Sequence, residues 1–276
     1  MLTLQFVGVG PMRATSAQWQ TNAVITYEDD GIKRHLLIDC GEDNRHALEE
    51  AGILTEDVRA LYVSHLHGDH VGGVGSLALA TYFHPKLYRP ELFCEYQLMH
   101  HLWEHALRGG LDTIEGKMMT LTDYFDCHPG MSFKWSGIEF QLVQTLHIVA
   151  GYQFMNSYGL MIKLPSDLVE GKKIFFTGDT QFCPHQIQCF YDEADLIIHD
   201  CETSAFCSKV HAHFDDLTTL DEATKNKMWL VHYQPGFTHD SGDFDMAPMR
   251  EMQDLARMNG FAGFIKKGQV FDLGTL

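Results

Sequence analysis

LYVSHLHGDHVGG, residues 61–73, starts as an apolar strand and then packs His65, His67, Asp69 and His70 into six positions, with glycines at 68, 72 and 73. The apolar run lasts to Ser64, so the polar burst lies on a rim, where loops held by a rigid sheet carry function. Imidazole nitrogen and carboxylate oxygen together suit zinc and similar first-row ions, whereas magnesium and calcium favour all-oxygen shells. With Gly68 relieving the turn, His65 and His67 face one ion, and Asp69 and His70 face a second. Six residues cannot complete two shells, so other strand ends must contribute. The candidates are His147, Asp179 and His232, and the carboxylate of Asp179 is the natural bridge.

Working outward, Asp39, His65, His147, Asp179, Asp200 and His232 each stand where an apolar run stops. Strand character is predicted over 3–10, 22–29, 34–41 and 60–64. Helical spacing covers 42–53, 74–83 and about 92–107. The second half repeats this grammar: a hairpin over 132–147 around Ser136-Gly137, strands over 158–165, 172–180, 194–202 and 227–235, and a helix over 246–260. No low-complexity linker interrupts the chain, which reads as one domain, 1–276, of two similar halves.

The 276 residues carry 37 acidic and 20 basic side chains, a formal net charge of −17. That opposes coating of long nucleic acid, which depends on Lys and Arg displacing counterions. A small anionic substrate is compatible where bound cations outweigh the global field. The seven cysteines are odd in number, with no CxxC pair, which fits a reducing, cytoplasmic setting without a disulfide framework. No run of 18 apolar residues predicts a membrane span. The opening MLTLQFVGVG reads as a first strand rather than a signal peptide.

HLHGDH (65–70), His147, GDT (178–180) and LVHY (230–233), in that order and with LLIDCG around Asp39, resemble the metallo-β-lactamase fold hydrolases over about residues 3–273. The resemblance implies an α/β fold, a four-layer αββα sandwich of two pseudo-symmetric halves with two metals at one edge. It assigns His65, His67 and His147 to one metal, Asp69, His70 and His232 to the other, and Asp179 to both. Lactamases of the common zinc class resemble this pattern except for a cysteine at the bridge, so lactamase activity is not expected. The implied cofactor is two Zn2+, with Mn2+ or Fe2+ also compatible. Two ions about 3.5–4 Å apart suit in-line displacement at phosphorus.

SHLHGDHVGGV is similar to the ribonuclease Z and phosphodiesterase branch. That branch implies a further histidine assisting the leaving oxygen, here His213 in KVHAHFDDL, with His211 the alternative. IIHDCET places Asp200 where the branch has a glutamate orienting that histidine, and Glu202 is a second candidate. The implied catalytic group is therefore His213, Asp69 and Asp200. Only 179 − 147 = 32 residues separate His147 from Asp179, too few for the basic arm with which ribonuclease Z grips tRNA.

A compact acidic member, with HAHF and the ending FAGFIKKGQVFDL (261–273), resembles the phage anti-Pycsar family, which degrades cyclic pyrimidine and purine mononucleotides. The resemblance implies a phosphodiesterase converting 3′,5′-cyclic mononucleotides to nucleoside monophosphates, acting in the host cytoplasm if phage-encoded. It also implies a homodimer. Arg13 is the candidate for a phosphate contact. Trp19 and Phe237, with Tyr152, Phe154 and Tyr233, are candidates for stacking on a base. The rivals are a ribonuclease Z-like endonuclease acting on tRNA 3′ ends and a protein that sequesters nucleotides without turnover. Segment 111–131 reads as a lid or a dimer surface.

Overall fold

The computed structural model describes residues 1–85, 88–169, 171–234, 237–238, 244–245 and 249–276. Alternation in β1 (Leu2–Gly8) buries Leu2, Leu4 and Phe6 and leaves the intervening residues half-buried, the period-2 pattern of a strand with one face on the core. β2 (Asn22–Asp29) and β3 (Ile32–Ile38) follow antiparallel. After α1 (Asn44–Glu50) the pairing becomes parallel, through β4 (Val58–Tyr62).

Two short helices, α2 (Gly68–Val71) and α3 (Val74–Tyr82), lead to β5 (Glu91–Cys94) and α4 (Tyr96–His101). The helix expected over 92–107 therefore divides. Its first residues form a buried parallel strand beside β4, and the helix starts at Tyr96, capped by the Glu95 side chain. A short apolar run such as LFC is ambiguous by periodicity, and its neighbours decided it. In segment 111–131, residues Asp126–Pro129 form the edge strand β6, and Thr113–Ile114 pairs with Lys117–Met118 in a small exposed ribbon.

The second sheet starts with β7 (Ser132–Trp135) and β8 (Ile138–Ala150), joined at Ser136-Gly137, both with positive φ as a tight hairpin requires. It continues through β9 (Gln153–Lys163) and β10 (Lys173–Phe176), then α5 (Pro184–Glu193), β11 (Leu196–Asp200), α6 (Phe214–Leu217) and β12 (Met228–Val231). After α7 (Met249–Met258) come β13 (Gly263–Phe264), which closes this sheet, and β14 (Val270–Asp272), which returns to β1. Both sheets have seven strands, and each runs from three antiparallel pairings to three parallel ones. The two halves thus share one topology, the αββα sandwich of the metallo-β-lactamase fold.

Aromatic rings stitch the sheets face to face. Phe133 of the second sheet stacks on Phe93 of the first at 4.1 Å, backed at 4.4 Å by its own cross-strand partner Phe140, and Phe6 meets Phe176 edge-on across the sheets at 6.1 Å. The fully buried Phe6 and Phe140 each contribute about 1.5–3 kcal/mol by area, and the half-buried Phe133 less. The Tyr62 hydroxyl donates to the Tyr158 carbonyl, and the Tyr158 amide to that of Ser64, which locks the sheets together beside the 65–70 loop. No helix among the described residues is long and apolar enough to cross a membrane.

Candidate metal centre

Three strand ends turn into the site through left-handed backbone: Asp39 (φ 62°) after β3, Gly178 (φ 58°) after β10 and His232 (φ 67°) after β12. Asp and His tolerate this region better than most residues, and such conformations gather at functional sites. Asp39 then organises the 64–70 loop. Its Oδ1 accepts from the Ser64 amide (2.8 Å), and its Oδ2 accepts from Ser64 Oγ and His70 Nδ1, both at 2.7 Å.

Hydrogen bonding settles which nitrogen of each histidine carries a lone pair. Ser64 Oγ donates to Asp39, so it accepts from His65 Nδ1 at 3.0 Å. His147 Nδ1 donates to the Val210 carbonyl at 2.7 Å. Thr21 Oγ1 donates to the Gly10 carbonyl and therefore accepts from His232 Nδ1 at 3.1 Å. The Nε2 atoms of His65, His147 and His232 therefore keep their lone pairs. Burial would pull His70 down, but the Asp179, Asp39 and Asp69 carboxylates around it push it well above the usual histidine range, so its Nε2 holds a proton that a cation would have to displace. These outer partners orient the rings as metal-ligating histidines require. Thr21, Ser64 and Val210 carried no sequence signal for this role, because each acts through a tertiary contact.

The Nε2 atoms converge on Asp179 Oδ2, at 3.7 Å from His65, 3.3 Å from His70, 3.8 Å from His147 and 3.4 Å from His232. His67 Nδ1 lies 3.0 Å from His65 Nε2 and 3.2 Å from His147 Nε2. Thr145 and Ser157 hydroxyls anchor the Asp179 carbonyl from β8 and β9. Two groups result, His65–His67–His147–Asp179 and Asp69–His70–His232–Asp179, with the ligand atoms of each within 4.8 Å of one another. All seven candidate ligands are brought together, in the split expected.

These residues fit a pair of cations. Asp69 Oδ1, His70 Nε2 and Asp179 Oδ2 are buried without a hydrogen-bond partner, and each such orphan costs about 1–3 kcal/mol unless something pairs with it. Burial pulls His65, His67 and His232 below the usual histidine range, and His147 to about 4, so these rings stay neutral and free to ligate. Burial also pushes Asp69 up. Asp179 would rise on burial, but His232 and His70 beside it hold it well below the usual carboxylate range. The mixed imidazole and carboxylate set suits zinc and its first-row neighbours.

His211 stands against this cluster. Its ring lies 5.0 Å from that of His147 and 4.9 Å from that of His232, and its Nδ1 is 2.8 Å from Asp200 Oδ2 and 3.9 Å from Asp179 Oδ2. The Thr180 amide donates to the same Asp200 oxygen. Burial pushes Asp200 up. Burial would pull His211 down, but the adjoining Asp200 outweighs it and pushes His211 up, so the pair keeps its proton on the ring.

His213 is a correction. Its Nε2 donates to the Ser204 carbonyl (2.8 Å), and its Nδ1 accepts from the Asp215 amide (3.3 Å), which makes it the N-cap of α6. Both ring nitrogens are occupied away from the cluster. Asp200 accordingly orients His211, and Glu202 ties down its own loop through Ser204 and Ser208.

The proposed substrate contacts fare unevenly. Arg13 is exposed, in a loop that leans on the metal loop: the Met12 methyl lies 3.6 Å from where a Cβ on Gly68 would stand. Trp19 is drawn elsewhere, its indole donating to Glu50 Oε2 at 2.7 Å and stacking on His46. Tyr233 belongs to the core, its hydroxyl bound to the Ile265 carbonyl. Tyr152 and Phe154 are exposed on the tip between β8 and β9. The Phe237 side chain lies outside the described residues.

Known proteins share both the sequence and the shape. The family described as "Anti-Pycsar protein Apyc1" matches residues 2–271. The chain is 31% identical over 235 residues to the anti-Pycsar protein Apyc1 of Paenibacillus harenae, covering 83% of this chain and 89% of that one. It is 29% identical over 243 residues to the protein of the same name from Bacillus phage vB_BveM-Goe7, covering 84% and 89%. Its fold is similar to that of the metallo-β-lactamase fold protein YhfI from Bacillus subtilis, with a TM-score of 0.69 across 99% of this chain and 100% of that one; at 16% identity this is a likeness of fold. With a match reaching almost from end to end and the ligand loop, bridging Asp179 and strand-end His232 all in place, the chain belongs to the anti-Pycsar protein Apyc1 family.

Proposed function

We propose that the chain is a dinuclear zinc phosphodiesterase that hydrolyses 3′,5′-cyclic mononucleotides, purine and pyrimidine, to nucleoside monophosphates, and so removes a cyclic-nucleotide signal. The observation that carries this reading is the position of Asp179 Oδ2, 3.3–3.8 Å from a ring nitrogen of four histidines that belong to two ligand groups, with His211 Nδ1 3.9 Å away alongside. Two cations held there supply Lewis acidity toward phosphoryl oxygens and lower the pKa of water.

The chain's own residues do the rest. His65, His67 and His147 would hold one cation, Asp69, His70 and His232 the other, and Asp179 belongs to both groups. His211 Nε2 has no hydrogen-bond partner among the described residues, while Nδ1 is fixed by Asp200. His211 thus donates from Nε2 to the ribose oxygen as its bond to phosphorus breaks, and Asp200 holds the ring in that tautomer. A single substrate phosphate suits a chain of net charge −17 in which two bound cations would outweigh the global field at this centre. The relatives' name and the phage source of one of them support cyclic nucleotides and the host cytoplasm as the setting. The chain acts as a homodimer in this reading, which light scattering checks.

The test is product identification after incubating metal-loaded protein with a panel of cyclic mononucleotides and, separately, precursor tRNA. Nucleoside monophosphates from the panel support the reading. Cleavage of tRNA 3′ ends with inert cyclic nucleotides reverses it in favour of an endonuclease, and tight binding without turnover indicates sequestration.

A further inference from the structure

At the opposite end of the first sheet from the metals, three parallel strands start side by side, and an arginine stands at or just before the start of each: Arg34 in β3, Arg59 in β4 and Arg89 just before β5. Arg34 precedes Asp39 by five residues and Arg59 precedes His65 by six, so at about 3.3 Å per residue this row lies some 16–20 Å from the metal centre. The three arginines, of eight in the chain, line a cavity of about 410 Å³ together with Tyr88 and Trp135. That volume lies within the usual range of small-molecule sites.

Charge sets this cavity apart from its neighbour. The adjoining hollow, of about 730 Å³, is lined by lysines already matched to glutamates: Lys134 and Lys163 to Glu139 and Lys173 to Glu193. In the arginine cavity, Arg34 and Arg59 are ion-paired with no carboxylate among the described residues. Glu91, which also lines it, faces His128 instead at 3.8 Å. In a chain with 37 acidic groups against 20 basic ones, two arginines left unpaired in one hollow are conspicuous. The Arg59 guanidinium carbon stands over the Tyr88 ring, 3.9 Å from its centroid, a cation–π contact that restrains the fork. The Tyr88 hydroxyl is buried with no hydrogen-bond partner, a cost that a bound acceptor would remove.

We infer that this cavity is a second ligand site, for an organic phosphate of nucleoside monophosphate size, whose phosphate engages Arg34 and Arg59 and whose ring lies along Tyr88 and Trp135. Paired guanidinium forks match phosphate oxygens in a bidentate way, and the half-buried Tyr88 and the edge of the buried Trp135 that reaches the cavity give a base an apolar lining. The site does not depend on the reaction proposed above.

Isothermal titration of adenosine 5′-monophosphate into the full-length, metal-loaded protein tests it. The expected result is one binding event that survives His232→Ala and is weakened at least about tenfold by Arg34→Ala or Arg59→Ala, the loss of a charge-assisted phosphate contact. Tyr88→Phe, which keeps the ring, weakens it less, and Lys163→Ala leaves it unchanged. Inorganic phosphate shows the same arginine dependence with lower affinity. Cyclic-nucleotide turnover, measured on the Arg34, Arg59, Tyr88 and Lys163 variants, remains that of the parent, whereas His232→Ala, which removes a proposed metal ligand, loses it. Absence of binding overturns the inference, as does affinity indifferent to both arginine changes or lost only with His232→Ala, which would assign the nucleotide to the metal centre. Loss of turnover with intact binding bears only on the reaction.

Discussion

His211 Nδ1 and Asp200 Oδ2 are joined at 2.8 Å, and through this contact a histidine on the loop before α6 is held against two ligand histidines from other strands. In the reading proposed above, the pair supplies the centre with a proton donor that is itself outside both four-residue ligand groups built on the 65–70 loop.

His211→Ala should lower kcat for cyclic nucleotides by about 100-fold or more, the scale of a positioned general acid. His213→Ala should change kcat only a few-fold and instead cost about 1 kcal/mol of stability through the lost cap on α6. Steady-state kinetics and urea unfolding on both variants check this, and equal kinetic damage from the two changes would contradict the assignment.

Asp39→Asn leaves every proposed ligand in place but weakens the hold on His70 Nδ1 and Ser64. Metal affinity should fall by about 10–100-fold, as for other outer partners of metal histidines. Competition with a chromogenic chelator measures it. Asp179→Ala should go further and reduce retention at both positions, read by elemental analysis.

Chelation should lower the melting temperature, because it leaves Asp69 Oδ1, His70 Nε2 and Asp179 Oδ2 unpaired in the interior. A cation present at 100 times its Kd stabilises by about 2.7 kcal/mol. Calorimetry before and after reloading gives the difference, and an unchanged melting temperature would speak against a cation at these atoms.

Gly41 and Gly75 should respond oppositely to alanine. A Cβ at Gly41 would stand 2.2 Å from the Asp69 carbonyl oxygen, so Gly41→Ala must push the metal loop away and cost about 1–3 kcal/mol or more. Gly75, within α3, has open space around it, so Gly75→Ala should stabilise by about 0.5–1 kcal/mol. Thermal melts of the two variants check both signs.

His199 makes the fold sensitive to acid. Its Nδ1 donates to the Asp200 carbonyl and its Nε2 accepts from the Tyr191 hydroxyl, an arrangement that needs the neutral ring, and burial lowers its pKa to about 4. The unfolded chain therefore binds this proton first. The stability is present in full above the unfolded value near 6.5 and is lost as pH falls toward 4. Between pH 7 and 5 the loss from this residue is about 2 kcal/mol. Urea unfolding at both values should show a correspondingly shallower pH dependence in His199→Gln.

The local alphabet of the chain determined much of this protein. Side-chain types and their spacing placed His65, His67, Asp69 and His70 on one rim, and apolar runs ending in Asp or His marked the strand ends that supply His147, Asp179 and His232. These are short-range properties, because a strand's period and a turn's glycine are visible within a few residues. Only the tertiary structure chose between His211 and His213. The two differ by whether the chain is still extended or has begun a helix, and the start of α6 at Phe214 takes His213 as its cap. The same holds for Trp19, drawn off by Glu50 31 residues away, and for the arginines gathered by parallel pairing of β3, β4 and β5. Each depends on a partner distant along the chain, and which distant partner a side chain meets is set by strand register and helix capping, not by its neighbours in sequence.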